Sequence, residues 1–72
     1  MAQLTTEQYD RLERAVIDRN RISVYRRGTE YIVIPTRLHL IDGRERIEAV
    51  HPTTGDRIII YIDEIDSMQV IR

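Results

Sequence analysis

The order of two hydrophobic patterns along the chain constrains its fold more than any other feature. Residues 5–19 have the apolar spacing of one amphipathic helix, whose apolar stripe consists of Tyr9, Leu12, Ala15 and Val16. Short apolar stretches typical of β-strands follow, at residues 21–26, 30–40, 45–50, 57–62 and 67–71. One helix followed by five strands predicts a mainly β fold.

Local sequence signals support these boundaries of the predicted helix and strands. Thr5 with Gln8 three residues later predicts a capping box at the start of the helix. Asp42-Gly43 and Arg27-Gly28 are hairpin signals, and Pro35 predicts a bend or an edge position in the second strand. This layout is that of the SH3-like and Sm-like small barrels. We therefore expect residues 1–72 to form a single five-stranded SH3/Sm-like barrel domain with one N-terminal α-helix.

The composition excludes several classes of protein. The chain has 72 residues and no cysteine, which excludes disulfides and thiolate metal sites. No apolar run approaches the roughly 18 residues of a membrane span, and the polar N-terminal segment is unlike a signal peptide. The formal charge of −1 offers no overall attraction to nucleic acid. We expect a cytoplasmic protein that uses no cofactor and contacts no membrane.

The fourth strand is apolar on both faces, although a small barrel needs only one apolar face. Ile59 and Tyr61 alternate with residues 58, 60 and 62, so only one of the two sets faces the core. Ile59 and Tyr61 are therefore predicted to lie under the helix or in a subunit interface. Because exposed β-branched residues favour pairing between chains, the pattern predicts a homo-oligomer.

Candidate catalytic and metal-binding residues are few. The chain has no cysteine nucleophile and no nucleophile-elbow serine. His39 and His51 have no ligand-spaced carboxylates beside them. Asp63, Glu64 and Asp66 could bind a cation or act as acid and base, but a solvated turn capped by Asp63 is favoured. We expect no enzyme, no catalytic residues and no metal site.

All 11 basic residues are arginines, a bias that either codon usage or recognition of phosphate and carboxylate groups explains. Several lie near the first hairpin together with an aromatic residue, a composition that holds phosphates and stacks bases. The candidate nucleic-acid or anion-binding residues are Arg21, Tyr25, Arg27 and Arg46. Interleaved acidic residues, such as Glu30, favour the alternative of a solvated hairpin without a ligand.

Residues 12–71 resemble a WYL-type domain, an Sm-like family. The resemblance rests on the order of five segments: Leu12–Val16, Arg21–Arg26, Ile34–Leu38, His51–Asp56 and Tyr61–Ile65. Glu45-Arg46-Ile47 stands where that family has its naming Trp-Tyr-Leu run. The resemblance implies transcription regulation together with a DNA-reading partner on a separate polypeptide.

The chain is also similar to the Sm-like inhibitors of the transcription terminator Rho. Residues 9–15 look like the helix motif of that family, and residues 55–65 are similar to its last hairpin. Both resemblances imply bacterial transcription regulation without catalysis. The expected function is a small regulatory binding module in transcription or nucleic-acid metabolism, acting through protein or weak nucleic-acid contacts. The alternatives are a purely structural homo-oligomeric assembly protein and a Rho-inhibitor-like protein.

Overall fold

A computed structural model describes residues 4–71 of the chain. In chain order the elements are helix α1 (Thr6–Asp18), strands β1 (Arg21–Arg26), β2 (Thr29–Ile41), β3 (Arg44–Val50) and β4 (Arg57–Tyr61), a 3-10 turn (Ile62–Glu64) and strand β5 (Ile65–Ile71). The strands form one antiparallel sheet in the order β4-β3-β2-β1-β5. The predicted fold class is confirmed: five antiparallel strands and one N-terminal helix. β4 and β5 are the two end strands of this open small barrel.

The helix begins and ends at residues with clear local causes. The Thr5 hydroxyl accepts from the Gln8 amide at 3.1 Å, and the Thr5 amide donates to the Gln8 side chain at 2.9 Å. This is the predicted capping box, which satisfies two otherwise unpaired amides. At the other end, Arg19 takes a left-handed conformation with φ of 56° and its amide bonds back to Ala15. The helix therefore spans one residue less at each end than predicted.

Both predicted hairpin turns are present. Arg27 and Gly28 have φ of 52° and 79°, and Asp42 and Gly43 have φ of 52° and 78°. Positive φ at both central residues is the geometry of a two-residue turn whose twist matches that of the flanking strands. These turns set the pairing of β1 with β2 and of β2 with β3.

The long strand β2 pairs with a different strand along each half of its length. Its residues 29–33 pair with β1, and its residues 34–41 pair with β3. A bulge between Pro35 and Arg37 separates the two halves, and the extra residue, Thr36, donates its hydroxyl to the Glu48 carbonyl at 3.0 Å. The proline predicted a bend here, and the bulge supplies it, because a bulge bends the strand and increases its twist.

The core lies between the inner face of the curved sheet and the helix. The helix packs against β2, β5 and β1, with Leu12 and Ala15 fully buried. The buried residues of the sheet and its last turn are Ile22, Val24, Val33, Ile47, Ala49, Ile60, Ile62, Ile65 and Met68. Since these residues alternate along each strand, their neighbours form a separate outer face.

Two predicted boundaries near the C-terminal end are wrong. The fourth strand ends at Tyr61, because Ile62 opens the 3-10 turn, and the last strand begins at Ile65 rather than at residue 67. Ile62 is 5% exposed and Ile65 is 2% exposed, so the turn places both side chains in the core. The predicted cap by Asp63 is absent from the described turn, whose N-cap residue is Tyr61 without a side-chain hydrogen bond. Burial of two isoleucines thus shapes this segment.

A hydrogen bond between Tyr9 and Glu45 ties the helix to the sheet. The Tyr9 hydroxyl donates to Oε1 of Glu45 on β3. Burial, and then the hydrogen bond to Glu45 and the charge of its carboxylate, raise the pKa of Tyr9 from 10.0 to about 12. The folded state therefore favours the neutral phenol.

Replacing Tyr9 with phenylalanine should lower the free energy of unfolding by about 1 kcal/mol at neutral pH, because one hydrogen bond is lost. The neutral phenol contributes this stability fully below pH 10.0, and the contribution is lost as the pH rises to about 12. The difference between wild type and Tyr9→Phe should therefore shrink over that range. Urea unfolding at about pH 8 and about pH 11 checks this; a difference that grows with pH contradicts it.

Candidate binding surfaces

A cluster of ion pairs joins the first two hairpins to the 3-10 turn. Arg44 donates to Asp63 through two hydrogen bonds, of 2.9 Å from Nε and 2.8 Å from Nη2, and its guanidinium lies 3.9 Å from the ring centroid of Tyr61. Glu64 accepts from Arg27 at 3.3 Å and lies 3.9 Å from Arg44. These five residues form the arginine–acid cluster. In it each arginine already faces a carboxylate.

Both members of the Arg44–Asp63 pair are stabilised in their charged forms. The hydrogen bonds from Arg44 lower the pKa of the Asp63 carboxyl below its usual value. The same hydrogen bonds raise the pKa of Arg44. The pair therefore stays charged near neutral pH, and it leaves little net charge for an anionic ligand at this end of the barrel.

The side chain of Arg26, at the end of β1, connects that strand to β4. Its guanidinium lies 4.6 Å from the ring centroid of Tyr31 and donates to the backbone carbonyl of Ile59 on β4 at 3.3 Å. In an antiparallel strand, the backbone groups of one residue point to the same side. The Glu48 carbonyl accepts from Thr36 of β2, so Glu48 directs its backbone groups away from β4. Its pairing partner Ile59 then directs its carbonyl away from β3, toward the unpaired side of β4. The side chain of Arg26 therefore covers part of the side of β4 that pairs with no other described strand.

Arg46 lies on the outer face of β3, between Tyr61 of β4 and His39 of β2. Its Nη2 lies 3.6 Å from the Glu48 carboxylate, which also lies 3.4 Å from Nδ1 of His39. Its buried Nε has no hydrogen-bond partner among residues 4–71. Arg46 is thus held by neighbouring side chains and is half-buried.

The predicted nucleic-acid residues do not all lie together. Arg21 and Tyr25 share the outer face of β1, whereas Arg27 belongs to the arginine–acid cluster. Arg46 pairs with His39 of β2, whereas the part of β2 next to Arg21 is Val33, which pairs with Ile22. The six residues from Val33 to His39 span about 20 Å along the strand. The structure therefore brings Arg21 and Tyr25 together on β1 and places the other two residues near carboxylates.

The predicted interface residues have different surroundings. Ile59 and Tyr61 both lie on the outer face of β4, opposite Glu48 and Arg46 of β3. Ile59 is 37% exposed, whereas Tyr61 is half-buried beneath the guanidinium of Arg44. Arg44 of the same chain thus covers the ring of Tyr61, which is part of the apolar surface predicted to lie under the helix or in a subunit interface. The apolar side chain of Ile59 stays accessible next to the side of β4 that faces away from β3.

Both end strands have an unpaired side within the described part of the chain. β4 pairs only with β3, and β5 pairs only with β1, among residues 4–71. A groove of about 650 Å³ runs beside β5. Its walls are residues 68–70 of the strand and the helix residues Gln8, Asp10, Arg11, Arg14 and Ala15. We call the sides of β4 and β5 that pair with no other strand among residues 4–71 the free edges.

No group of three or more His, Asp or Glu side chains that could hold a metal ion occurs in residues 4–71. His39 contacts Glu48, and His51 lies in the loop after β3, so the two histidines belong to different parts of the surface. The described chain also has no helix with the length and apolarity that crossing a membrane demands.

Sequence reasoning missed the arginine–acid cluster and the role of Arg26. The sequence predicts a solvated turn at residues 63 and 64 and assigns Arg26 no contact of its own. Only the opposite charges of the hairpin arginines and of residues 63 and 64 could have indicated that they form ion pairs. Arg27 and Glu64 are 37 residues apart, too far for a local pattern.

Comparison with known proteins adds no relative: no protein-family model matches this chain, and no curated protein matches it.

Proposed function

We propose that the protein is a non-enzymatic binding module that assembles with copies of itself through its two free edges. In this assembled form it acts as an accessory regulator of bacterial transcription or nucleic-acid metabolism. The observation that supports the proposal most is the sheet order, which leaves β4 and β5 as end strands with one unpaired side each. Unpaired strand edges are templates for pairing with another chain.

The two free edges belong to different strands, so joining them links chains head to tail. Such a heterologous contact builds a ring when its rotation closes, and otherwise a filament. On β4 the Ile59 carbonyl faces this edge, and Arg26 holds it through a long, exposed hydrogen bond of 3.3 Å. Displacing one such bond costs little compared with the several backbone hydrogen bonds that a paired strand makes.

The outer face of β4 supplies an apolar contact next to its edge. Ile59 is 37% exposed there and lies opposite Glu48. Strand addition combines backbone hydrogen bonds, which provide affinity, with side-chain contacts, which provide specificity. Ile59 is the residue we assign to the second role.

The regulatory part of the proposal rests on the resemblance to WYL-type and Rho-inhibitor Sm-like proteins. Both resemblances imply transcription regulation without catalysis, and the mixed charges on the outer face suit a protein partner better than bare nucleic acid. Glu48 neutralises Arg46 on this face, and the chain carries a formal charge of −1. Contact with an acidic or mixed protein surface therefore fits better than a steep attraction to phosphates.

Replacing Ile59 with glutamate should dissociate the assembly without unfolding the domain, because the new carboxylate would be buried unpaired in the contact. Ile32→Glu is the matched control. Ile32 has the same 37% exposure and also lies on the outer face, but on the internal strand β2. Light scattering at high micromolar concentration should show wild type and Ile32→Glu as oligomers and Ile59→Glu as a monomer.

The variant Arg26→Ala tests the edge directly. Removing the guanidinium exposes the Ile59 carbonyl, so association should become tighter if β4 pairs with another chain. A wild-type protein that stays monomeric would exclude self-assembly. Oligomers that both glutamate variants disrupt equally would place the contact elsewhere on the outer face.

A pull-down from cells of the source organism tests the regulatory part. Wild-type protein used as bait should recover a component of the transcription machinery. Ile59→Glu serves as the second bait, and its comparison with wild type shows whether the partner binds the monomer or the assembly. Recovery of the protein alone would favour a purely structural assembly.

A further inference from the structure

The loop between β3 and β4 forms one wall of a second pocket, at a distance from the arginine–acid cluster. The pocket has a volume of about 540 Å³, within the size range typical of small-ligand sites. Its other wall is the outer face of β1 and β2. The lining residues are Arg21, Ile32 and, from the loop, His51, Pro52, Thr53, Thr54 and Asp56.

Hydrogen bonds within the loop hold this wall in place. The His51 amide donates to the Asp56 carbonyl at 2.9 Å, and the Gly55 amide donates to the His51 carbonyl at 2.8 Å. The Thr54 hydroxyl also accepts from the Asp56 amide at 3.2 Å. Gly55 has φ of 77°, a conformation that side-chain-bearing residues rarely adopt. These bonds give the loop wall of the pocket a defined conformation.

The charge of Arg21 is not neutralised by the described part of the chain. Arg21 has no hydrogen bond or ion pair with any side chain among residues 4–71, in contrast to Arg27, Arg44 and Arg46 at the other end of the barrel. His51 lies in the same lining. An arginine with its donors unused is suited to bind a phosphate or a carboxylate.

The other lining residues restrict the ligand further. Ile32 and Pro52 provide an apolar surface against which a flat ring packs. Thr53, Thr54 and Asp56 offer acceptors for hydroxyl groups, and the Asp56 carboxylate repels a ligand that is anionic on all sides. The fitting ligand therefore has its anionic group at one end and a ring with hydroxyl groups at the other.

We propose that this loop pocket binds a nucleotide. The phosphate lies beside Arg21 and His51, the base packs on Ile32 and Pro52, and the sugar hydroxyls face the threonines and Asp56. The site is independent of the free edges, so it holds whether or not the chain assembles. The nucleotide is either a free mononucleotide or one unit of a single-stranded RNA.

The test is a titration followed by backbone amide NMR, with adenosine monophosphate as the probe. Adenosine monophosphate should shift the amides of residues 21, 32 and 51–56 saturably, and more tightly than inorganic phosphate or adenosine alone. A five-nucleotide RNA in a parallel titration distinguishes the two sources. Tighter binding of the RNA indicates a strand as the natural ligand, and tighter binding of the mononucleotide indicates a free metabolite.

Arg21→Ala should weaken adenosine monophosphate binding about tenfold, the effect of losing one charge-assisted hydrogen bond. Arg27→Ala is the control, because Arg27 is also highly exposed but pairs with Glu64. Circular dichroism checks that both variants fold. Equal weakening by both variants, no saturable shift up to about 10 mM, or equally tight binding of inorganic phosphate would each overturn the proposal.

Discussion

Replacing Ile60 with alanine is expected to lower the free energy of unfolding by about 2–5 kcal/mol, the usual cost of truncating a buried isoleucine. Ile60 is 0% exposed and lies opposite Ile47 of β3, which is also 0% exposed. A domain this small has a total stability on the order of 5 kcal/mol. The loss should therefore show in urea denaturation followed by circular dichroism as a much lower midpoint.

The adjacent residue provides the control for Ile60→Ala. Ile59→Ala makes the same chemical change one position earlier, on the outer face, where the side chain is 37% exposed. It should cost less than about 1 kcal/mol in the monomer, because no closed cavity forms. Equal losses for the two variants would mean that the assignment of faces on β4 is wrong.

Leu12→Ala should have an effect of similar size and should act on the helix–sheet contact. Leu12 is 0% exposed and belongs to the same buried cluster as the sheet residues. The truncation leaves a cavity between α1 and the sheet, which we expect to cost about 2–5 kcal/mol. Hydrogen exchange should then show the helix amides opening more readily, since packing, rather than propensity, stabilises most protein helices.

Ile17→Ala is the matched control on the same helix. Ile17 is 77% exposed, so its truncation removes little contact. Alanine also has the higher helix propensity, and the variant should be as stable as the wild type or slightly more stable. A loss at Ile17 as large as that at Leu12 would show that another surface covers the exposed side of the helix.

The elements that the sequence predicts correctly are those with local causes. Thr5 and Gln8 cap the helix through bonds between residues three positions apart. The turns at Gly28 and Gly43 need positive φ, which these sequences accept. Alternation along each strand likewise depends only on the geometry of an extended chain. The fold class follows from signals of this kind.

The boundary between β4 and β5 depends on more than local signals. Residues 58–62 form a continuous apolar run, which predicts a strand to residue 62. The chain turns one residue earlier, and the 3-10 turn that begins at Ile62 places both Ile62 and Ile65 in the core. The shape of the core, which the whole sheet creates, decides this position.

By itself the sequence determined the helix, the order of the helix and five strands along the chain, the hairpin turns and the alternation that separates core from outer face. Only the tertiary structure decided which arginines are neutralised. Arg27 meets Glu64 and Arg44 meets Asp63 across 37 and 19 residues, whereas Arg21 lies beside a pocket without a carboxylate partner among residues 4–71. The physical reason is that charge pairing depends on distances of a few ångströms in space, which a linear pattern does not encode.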